Sequence, residues 1–349
     1  MIRVLIVDDS ALVRKLLTEI FSRESDIEVC GTAIDPYVAR DKIVQLKPDV
    51  MTLDVEMPRM DGISFLEKLM RHFPMPVIVL SSLTPKNSET AVRALALGAV
   101  EVLAKPGSSL AVGDIGKELV RAVRGASRAK FQKKVPPAPG TVIERPPLAF
   151  GPLRTTNKVL AIGASTGGTR AIEEVLRGLP ADIPGTVVVQ HMPASFMAPF
   201  AQRLNGVCPQ NVREAQDGDV LVTGTVLIAA GDRHMLLERD GGQYRVRIKM
   251  GPPVHHQRPA VDVLFQSAAR SAGPNAVAVI LTGMGADGAA GMKQMHDAGA
   301  YCIAQDEESC VVFGMPKEAI KAEAVDEILP LDLVPEGIVR ALQGLLVRA

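Results

Sequence analysis

The sequence predicts an α/β protein of two domains, each built on a parallel β-sheet. Three observations support this fold class. The chain has 349 residues, which is more than one ordinary domain holds. In both halves, short apolar runs alternate with amphipathic stretches, as expected for a parallel sheet with helices on both faces. Between the halves, this alternation gives way to prolines and basic residues.

The first domain is predicted to be a doubly wound sheet over residues 1–120. Its expected strands are RVLIV, IEVCGTA, DVMTLD, PVIVLSS and VEVLAKP. Apolar residues recur at helical spacing in the stretches between them, which include ALVRKLLTEIF, PYVARDKIVQL and GISFLEKLMR. Each strand is therefore expected to be followed by a helix that crosses back over the sheet.

Residues 121–157 are predicted to form an interdomain linker. Prolines and basic residues are dense there, and Glu144 is the only acidic residue. Such a composition buries little apolar area and favours extended conformations. Its positive charge could bind an acidic partner, but we favour a solvated tether.

The second domain is predicted over residues 158–349. Its expected strands are KVLAIG, TVVVQ, VLIAA, AVAVILTG and AYCIAQD, with helices such as TRAIEEVLRGL and AVDVLFQSAARSA among them. The segment HMLLERDGGQYRVRIKM is expected to form an antiparallel hairpin that turns at Asp240, Gly241 and Gly242. The second domain is thus a parallel sheet with an antiparallel insertion.

Composition limits the possible partners and location. Lys plus Arg equals Asp plus Glu, at 39 each, so the net charge favours neither nucleic acid nor an anionic membrane. No apolar run is long enough to span a bilayer, and two aspartates interrupt the region where a signal peptide would be apolar. We expect a cytoplasmic protein without nucleic-acid binding or membrane insertion. Buried, reduced thiols are expected at Cys30, Cys208, Cys302 and Cys310.

Five polar residues lie at the ends of strands in the first domain. They are Asp8, Asp9, Asp54, Ser81 and Lys105. Ligands of open α/β sheets bind at the carboxyl ends of the strands, so these side chains should converge. Carboxylate oxygens suit Mg²⁺, and the metal and lysine would neutralise a phosphoryl group accepted by a carboxylate. The alternative is that each aspartate only caps a helix.

Ser165 occupies a glycine-rich turn in the stretch VLAIGASTGG. The pattern G-x-S-x-G, from Gly163 to Gly167, is typical of a nucleophilic serine between a strand and a helix. A phosphate-binding loop is the alternative. It is weakened because the stretch lacks both the Lys-Ser/Thr of a P-loop and the G-x-G-x-x-G of a dinucleotide site.

Two further residues can complete a catalytic set with Ser165. His191 follows the strand TVVVQ, and Asp287 lies in VILTGMGADG. A nucleophilic serine needs a base, and the histidine needs a carboxylate that orients it and stabilises its cation. The alternatives are that His191 is a hydrogen-bonded structural residue and that Asp287 caps the helix after it.

The remaining histidines indicate no site. His255 and His256 resemble a metal-binding pair, but adjacent residues of an extended segment point to opposite faces, and no third ligand is evident. We therefore expect no metal there and no cofactor in the second domain. His234 and His296 lie in polar contexts without a distinct signal.

Residues 1–120 resemble the receiver domain of bacterial two-component response regulators, which has a flavodoxin-like fold. The motifs that carry the resemblance are DVEMPRMDG and LAKPG. It implies that a histidine kinase phosphorylates Asp54 and that Asp8 and Asp9, with Asp54, hold Mg²⁺. It also implies that Ser81 and Lys105 contact the phosphoryl group.

Two details of this resemblance concern the last strand of the first domain. A cis peptide bond is implied before Pro106. The aromatic switch residue that is frequent in the family, three positions before the lysine, is Val102 here. Phosphorylation is therefore expected to be transmitted differently from the common coupling between a hydroxyl and an aromatic residue.

From about residue 158 to the C-terminus, the chain resembles the catalytic domain of the bacterial chemotaxis protein-glutamate methylesterases/glutaminases. The shared motifs are GASTGG, QHMP, RPAVDVLF and LTGMGADGA. The resemblance implies hydrolysis of glutamyl methyl esters on the cytoplasmic helices of chemoreceptors, with release of methanol. It also implies deamidation of particular receptor glutamines.

The same resemblance implies roles for individual residues. Ser165 is the nucleophile, His191 the general base and acid, and Asp287 the partner that orients the histidine. Backbone N–H groups near Thr166 and Met284 are the candidates for the oxyanion hole. A DNA-binding response regulator, a hydrolase of small molecules and an inhibitory binding protein are the competing functions, and the long strand-rich second half argues against the first of them.

Overall fold

The structure is a computed structural model that describes residues 1–57, 59–82, 84–105, 112–129 and 157–344. Contacts divide the chain into two compact units, Met1–Phe131 and Gln132–Ala349. Each unit is built on its own parallel sheet.

The first unit is a five-stranded parallel sheet in the order β2-β1-β3-β4-β5. Its strands are β1 (Ile2–Val7), β2 (Ile27–Ala33), β3 (Val50–Asp54), β4 (Val77–Ser81) and β5 (Glu101–Ala104). The helices described around it are α1 (Ala11–Ser22), α2 (Pro36–Leu46), α3 (Gly62–His72), α4 (Pro85–Ala96) and α5 (Val112–Ala126). The predicted doubly wound fold is confirmed. The strand order reverses between β1 and β3, where such sheets bind ligands.

Local signals explain where the first helices begin. Ser10 accepts a hydrogen bond from the amide of Val13, and Asp35 and Asp61 accept bonds from the first-turn amides of α2 and α3. These side chains satisfy amide groups that would otherwise lack partners at a helix start. Every residue of β3 and β4 is buried, as a sheet covered on both faces requires.

Helix α5 continues beyond the point where the sequence predicted the linker to begin. Residues 121–126, assigned to the linker, form its last turns. The reason is that Ala122, Val123 and Ala126 are buried and extend the apolar face of the helix. Residues 130–156 of the predicted linker lie outside the described residues.

The second unit contains a seven-stranded parallel sheet in the order β15-β14-β13-β6-β7-β10-β8 and a three-stranded antiparallel sheet, β11-β12-β9. The strands are β6 (Val159–Ala164), β7 (Thr186–Gln190), β8 (Asn211–Glu214), β9 (Val220–Leu221), β10 (Thr225–Ile228), β11 (His234–Asp240), β12 (Gln243–Lys249), β13 (Ala276–Ile280), β14 (Tyr301–Gln305) and β15 (Glu327–Leu329). The described helices are α6 (Gly168–Gly178), α7 (Ala194–Val207), α8 (Val261–Ser271), α9 (Ala289–Asp297), α10 (Met315–Lys321) and α11 (Val334–Gln343).

The predicted hairpin is confirmed. Strands β11 and β12 pair antiparallel, with Asp240 opposite Gln243 across the turn. Helix α8 is fastened to this hairpin through Ser267, whose Oγ accepts from the Leu237 amide, and through Ser271, whose Oγ donates to the Leu237 carbonyl. The antiparallel sheet is thereby attached to the helix that leads into the candidate active site.

Two composition-based expectations can be compared with the structure. All four cysteines are free thiols, but only Cys302 and Cys310 are buried. Cys30 and Cys208 are half-buried, so the expectation of full burial is wrong for these two residues. In the described part of the chain, none of the helices combines the length and the apolar character needed to cross a membrane.

Candidate active site and phosphoacceptor pocket

Three neighbouring strands of the second sheet carry Ser165, His191 and Asp287. Strand β6 lies between β7 and β13, and Ala164 of β6 is in register with Gln190 of β7. Ser165 and His191 are therefore the residues that directly follow two adjacent parallel strands. Asp287 lies in the loop after β13, on the other side of β6. The strand order changes direction at β6, so this carboxyl edge is the switch point of the sheet.

The backbone around Ser165 makes a tight turn that needs glycine. Gly167 has a φ of +79°, and a Cβ there would lie 2.6 Å from the Val311 side chain. A Cβ on Gly163 would lie 2.3 Å from the Val261 side chain. The Ser165 amide donates to the Thr282 carbonyl over 3.0 Å, and the serine is only 2% exposed. The G-x-S-x-G pattern thus reflects close packing on both sides of the serine.

His191 and Asp287 form a short, buried pair. His191 Nε2 lies 2.7 Å from Asp287 Oδ2, and both side chains are 2% exposed. The other ring nitrogen, Nδ1, is buried and has no hydrogen-bond partner among the residues that the structure describes. Within the described residues, no hydrogen bond joins Ser165 Oγ to the ring. Nε2 is thus occupied by Asp287, whereas Nδ1 is not occupied by any described residue.

Asp287 caps a helix, but not the helix that follows it in sequence. Its Oδ2 accepts from the Val261 amide over 2.8 Å, and its Oδ1 accepts from the Asp262 amide over 2.9 Å. These are the first two amides of α8. Burial raises the pKa of Asp287, but the hydrogen bond and charge of His191 and the two amides outweigh burial and leave the pKa below its usual value. The carboxylate is therefore kept ionised beside the His191 ring.

We expect Asp287→Asn to lower the thermal-unfolding midpoint of the full chain by about 5 °C at pH 7, because an amide cannot accept three hydrogen bonds and presents N–H groups to donors. A carboxylate with a lowered pKa stabilises the fold above its unfolded-state pKa, near 4, and loses this effect as the pH falls through the folded-state value. The difference in unfolding midpoint between the parent chain and Asp287→Asn should thus shrink as the pH falls towards 3. Calorimetry at both pH values tests this, and an equal difference at both would contradict the ionised state.

The two oxyanion candidates lie on loops that contact Ser165. The Thr166 carbonyl accepts from Thr282 Oγ1 over 3.0 Å. A Cβ on Gly283 would lie 2.7 Å from the Ser165 Cβ, so the loop that contains Met284 passes directly against the serine. No hydrogen bond to the Met284 amide is found among the described residues, and the residue is half-buried. This amide is consequently available to a substrate oxygen.

The predicted extended conformation of the His255-His256 segment is wrong. Both residues have positive φ angles, 50° and 62°. His255 Nε2 lies 3.1 Å from Asp262 Oδ2, and donor atoms of His255, Asp262 and Asp287 lie within 4.8 Å of one another. The sequence did not indicate this third group. We assign no metal to the cluster, because both oxygens of Asp287 already accept hydrogen bonds from His191 and from α8.

Asp262 is a site-supporting residue that the sequence did not single out. It is 3% exposed, its Oδ1 accepts from the Gly291 amide over 2.6 Å, and its own amide donates to Asp287. It thereby joins α8 to α9 next to the carboxylate of Asp287. His234 is a buried, hydrogen-bonded histidine. Its Nδ1 accepts from the Ala260 amide over 3.3 Å, and its Nε2 donates to the Pro252 carbonyl over 3.0 Å.

The first unit brings its five polar residues to the carboxyl edge of its sheet. Asp8 and Asp9 follow β1, Asp54 ends β3, Ser81 ends β4, and Lys105 follows β5. Carboxylate oxygens of the three aspartates lie within 4.8 Å of one another. Lys105 Nζ lies 2.7 Å from Asp54 Oδ2 and 3.3 Å from Asp8 Oδ2.

Burial and charge perturb this pocket. Burial raises the pKa of Asp54 to about 6, although Lys105 and the Glu56 amide act in the opposite direction. Burial also raises the pKa of Asp8. The two aspartates raise the pKa of Lys105 despite its burial. The charge of Lys105 only partly neutralises the three aspartates of this cluster. Their carboxylate oxygens form a donor set that fits Mg²⁺.

Two details implied by the receiver resemblance concern the end of β5. Val102, which replaces the frequent aromatic residue, is a buried residue of this strand. Pro106, before which a cis bond is expected, lies outside the described residues.

Fold and sites together define a response regulator in which a receiver unit is followed by an α/β enzyme unit. A family model described as response regulator receiver domain matches residues 4–112, and one described as CheB methylesterase matches residues 160–338. The chain belongs to the CheB methylesterase family and carries a response regulator receiver domain.

Similar proteins match along nearly the whole chain. A Syntrophus aciditrophicus (strain SB) protein named protein-glutamate methylesterase/protein-glutamine glutaminase 2 is 58% identical over 342 residues, covering 97% of this chain and 98% of the relative. A Salmonella typhi protein with the same name, without the number, is 52% identical over 345 residues, covering 98% and 97%. The crystal structure of the Thermotoga maritima CheB methylesterase catalytic domain matches with a TM-score of 0.52 and 39% identity, covering 53% of this chain and 98% of that chain.

Proposed function

We propose that this chain is a phosphorylation-controlled serine hydrolase that removes methyl groups from glutamyl methyl esters on the cytoplasmic helices of chemoreceptors and deamidates specific receptor glutamines. The observation that carries the proposal is the buried His191–Asp287 pair, 2.7 Å apart, at the sheet edge where Ser165 follows the adjacent strand. Membership of the methylesterase family supports the substrate class.

In the proposed acylation step, Ser165 Oγ attacks the ester carbonyl while His191 Nδ1 takes the serine proton. The hydrogen bond between them forms when substrate enters, as is common for sites whose apo geometry is open. Asp287 stabilises the resulting imidazolium through Nε2. The backbone amides near Thr166 and Met284 hold the oxyanion, and the imidazolium then protonates the methoxy oxygen, which leaves as methanol.

Deacylation repeats the same chemistry with water. His191 takes a proton from water, the hydroxide attacks the glutamyl-serine ester, and the returning proton restores Ser165. The products are a receptor glutamate and free enzyme. When the substrate is a glutamine side chain, the leaving group of the first step is ammonia, so both activities need the same acyl-enzyme.

In the receiver unit, we propose that a histidine kinase supplies the phosphoryl group and that Asp54 accepts it. Mg²⁺, held by Asp8, Asp9 and Asp54, would neutralise charge on the phosphoryl oxygens. Lys105 already lies 2.7 Å from Asp54, and Ser81 ends the adjacent strand. We infer that these two side chains bind the oxygens of the phosphoryl group on Asp54.

Metal removal should therefore abolish phosphorylation. With acetyl phosphate as donor, we expect EDTA to reduce labelling of Asp54 at least 100-fold, because without the cation three carboxylates repel the incoming phosphoryl group. Intact-mass spectrometry measures the added phosphoryl group, and refilling with Mg²⁺ is the control. Equal labelling in EDTA would contradict the metal assignment.

We also propose the domain limits and the location. We divide the chain into a receiver domain of residues 1–120, a linker of residues 121–157 and a catalytic domain of residues 158–349. The first residues of this linker, 121–126, are helical. A cytoplasmic location follows from the proposed substrate and kinase.

The substrate class is tested by comparing two esters. The full chain should release methanol from methylated receptor membranes far faster than it cleaves p-nitrophenyl acetate at equal concentration. A hydrolase of small molecules would show the opposite preference, and that result would overturn the proposed substrate.

A further inference from the structure

Gln190 joins the two turns that carry the nucleophile and the base. It is the last residue of β7 and is 2% exposed. Its Nε2 donates to the Ser165 carbonyl and to the His191 carbonyl, over 2.9 Å in each case. One buried amide group thus binds the backbone of both residues whose side chains must meet for proton transfer.

The surroundings fix the orientation of this amide. If the side chain were turned over, its carbonyl oxygen would face two backbone carbonyl oxygens, which repel it. In the observed orientation Oε1 is buried, and none of the described residues forms a hydrogen bond with it. A Cβ on Gly168 would lie 2.2 Å from Oε1, so only glycine leaves room for the amide at the start of α6.

We propose that Gln190 is a positioning residue that holds Ser165 at the distance and angle from His191 that proton transfer requires. The proposal rests on the proposed function of these two residues. Asp287 orients the imidazole ring of His191, whereas Gln190 acts on the main chain. The Ser165 carbonyl also accepts from the Gly168 amide over 2.7 Å, so Gln190 is connected to the first turn of α6.

Loss of this connection should act mainly on the chemical step. A displacement of the reacting groups by about 1 Å can slow a reaction by about 100-fold. A shift of the main chain at Ser165 would leave the surface that binds the substrate in place. A lower kcat with an unchanged KM is the signature of a lost interaction that matters only in the transition state.

A second glutamine in the same unit provides a matched control. Gln210 is 3% exposed, and its Nε2 donates to the carbonyls of Leu176, Leu179 and Pro180, over 3.0 Å in each case. Its Oε1 is also buried, without a hydrogen-bond partner in the described part of the chain. These carbonyls lie at the C-terminal end of α6, about 16 Å along the helix from the turn of Ser165.

The experiment compares Gln190→Met with Gln210→Met in the full chain. Both changes remove buried donors of the same kind, so both should lower the unfolding midpoint. We expect Gln190→Met to lower kcat for methanol release by about 10- to 100-fold with KM within about twofold of the parent value. Gln210→Met should keep kcat within about threefold. Equal kcat values for the two variants would overturn the positioning role.

Gln190→Glu keeps the inference testable if the methionine variant does not fold. A protonated carboxyl can donate to one of the two carbonyls, whereas an ionised one faces both with negative charge. The ratio of its kcat to that of the parent should therefore fall as the pH rises from 6 to 9, since His191 and Asp287 are common to both proteins. A ratio that stays constant over this range would contradict the inference.

Ser165→Ala, measured in the same assay, distinguishes failure of the Gln190 inference from failure of the proposed catalytic set. If Ser165→Ala is inactive and Gln190→Met matches Gln210→Met, only the role of Gln190 fails. If Ser165→Ala retains methanol release, the proposed catalytic set itself fails.

Discussion

Replacing Ser165 with alanine is expected to abolish both demethylation and deamidation while leaving the fold intact. The change removes one hydroxyl from a residue whose structural bonds are made by its backbone amide and carbonyl. Without the nucleophile no acyl-enzyme forms, and only oxyanion and binding contributions remain, about 10³–10⁴-fold over uncatalysed hydrolysis. Methanol and ammonia release from purified receptor substrates measure the two losses.

The control for Ser165→Ala is its unfolding midpoint, which should stay close to that of the parent chain. Loss of one activity with retention of the other would mean that the two reactions do not share an acyl-enzyme. His191→Ala should lose more activity than Asp287→Asn, because the histidine transfers the proton, whereas the aspartate only orients the histidine ring. The reverse ranking would count against these roles.

Replacing Asp54 with asparagine should remove the response of the enzyme to a phosphoryl donor. The parent chain with Mg²⁺ and acetyl phosphate is expected to release methanol at least tenfold faster than the same chain without donor. Tenfold activation requires only about 1.4 kcal/mol of preference for the active state in the phosphorylated form. A phosphoryl group that adds nearly two negative charges beside Lys105 and Ser81 is adequate for an effect of that size.

Asp61→Asn is a matched control for Asp54→Asn. Asp61 is an aspartate of the same unit that caps α3 through the Ser64 amide and does not belong to the three-aspartate cluster. It should keep the donor response, because asparagine is also a good helix cap. Equal acceleration of Asp54→Asn and the parent chain would show that the donor acts elsewhere.

The fold could be predicted largely from the sequence because the main sheet of each unit is parallel. Their strands are buried on both faces, so they appear as continuous apolar runs that end in polar residues. Elements with weaker signals were not predicted, including β8, β9 and β15, which have four, two and three residues. Such short strands contain too few residues for a period of two to be recognised.

The candidate catalytic and phosphoacceptor residues could be proposed from the sequence because each ends a strand or follows one. Since parallel strands end at one edge, residues far apart in the chain become neighbours, as Ser165 and His191 do. The supporting contacts could not be proposed in this way. Asp287 binds the first two amides of α8, which precede it by 26 and 25 residues, and no local pattern encodes that contact.

Gln190 and His255 show two further limits of sequence reasoning. Gln190 is the final residue of an apolar strand, and its role depends on the positions of two carbonyls on neighbouring turns. The sequence predicts an extended backbone at His255, but its φ is positive and its Nε2 lies 3.1 Å from Asp262 Oδ2. Backbone angles outside the common regions are set by the surrounding packing and are not visible in composition or spacing.

Hydrolysis of receptor glutamyl methyl esters under phosphoryl control can be measured as the release of labelled methanol from membranes that carry methylated chemoreceptor. The assay contains purified full chain, Mg²⁺ and acetyl phosphate. We expect rapid release with donor, slower release without it, and none above background with Ser165→Ala. Retention of the label on the receptors, in the presence of folded chain that mass spectrometry shows to be phosphorylated at Asp54, would overturn the proposed function.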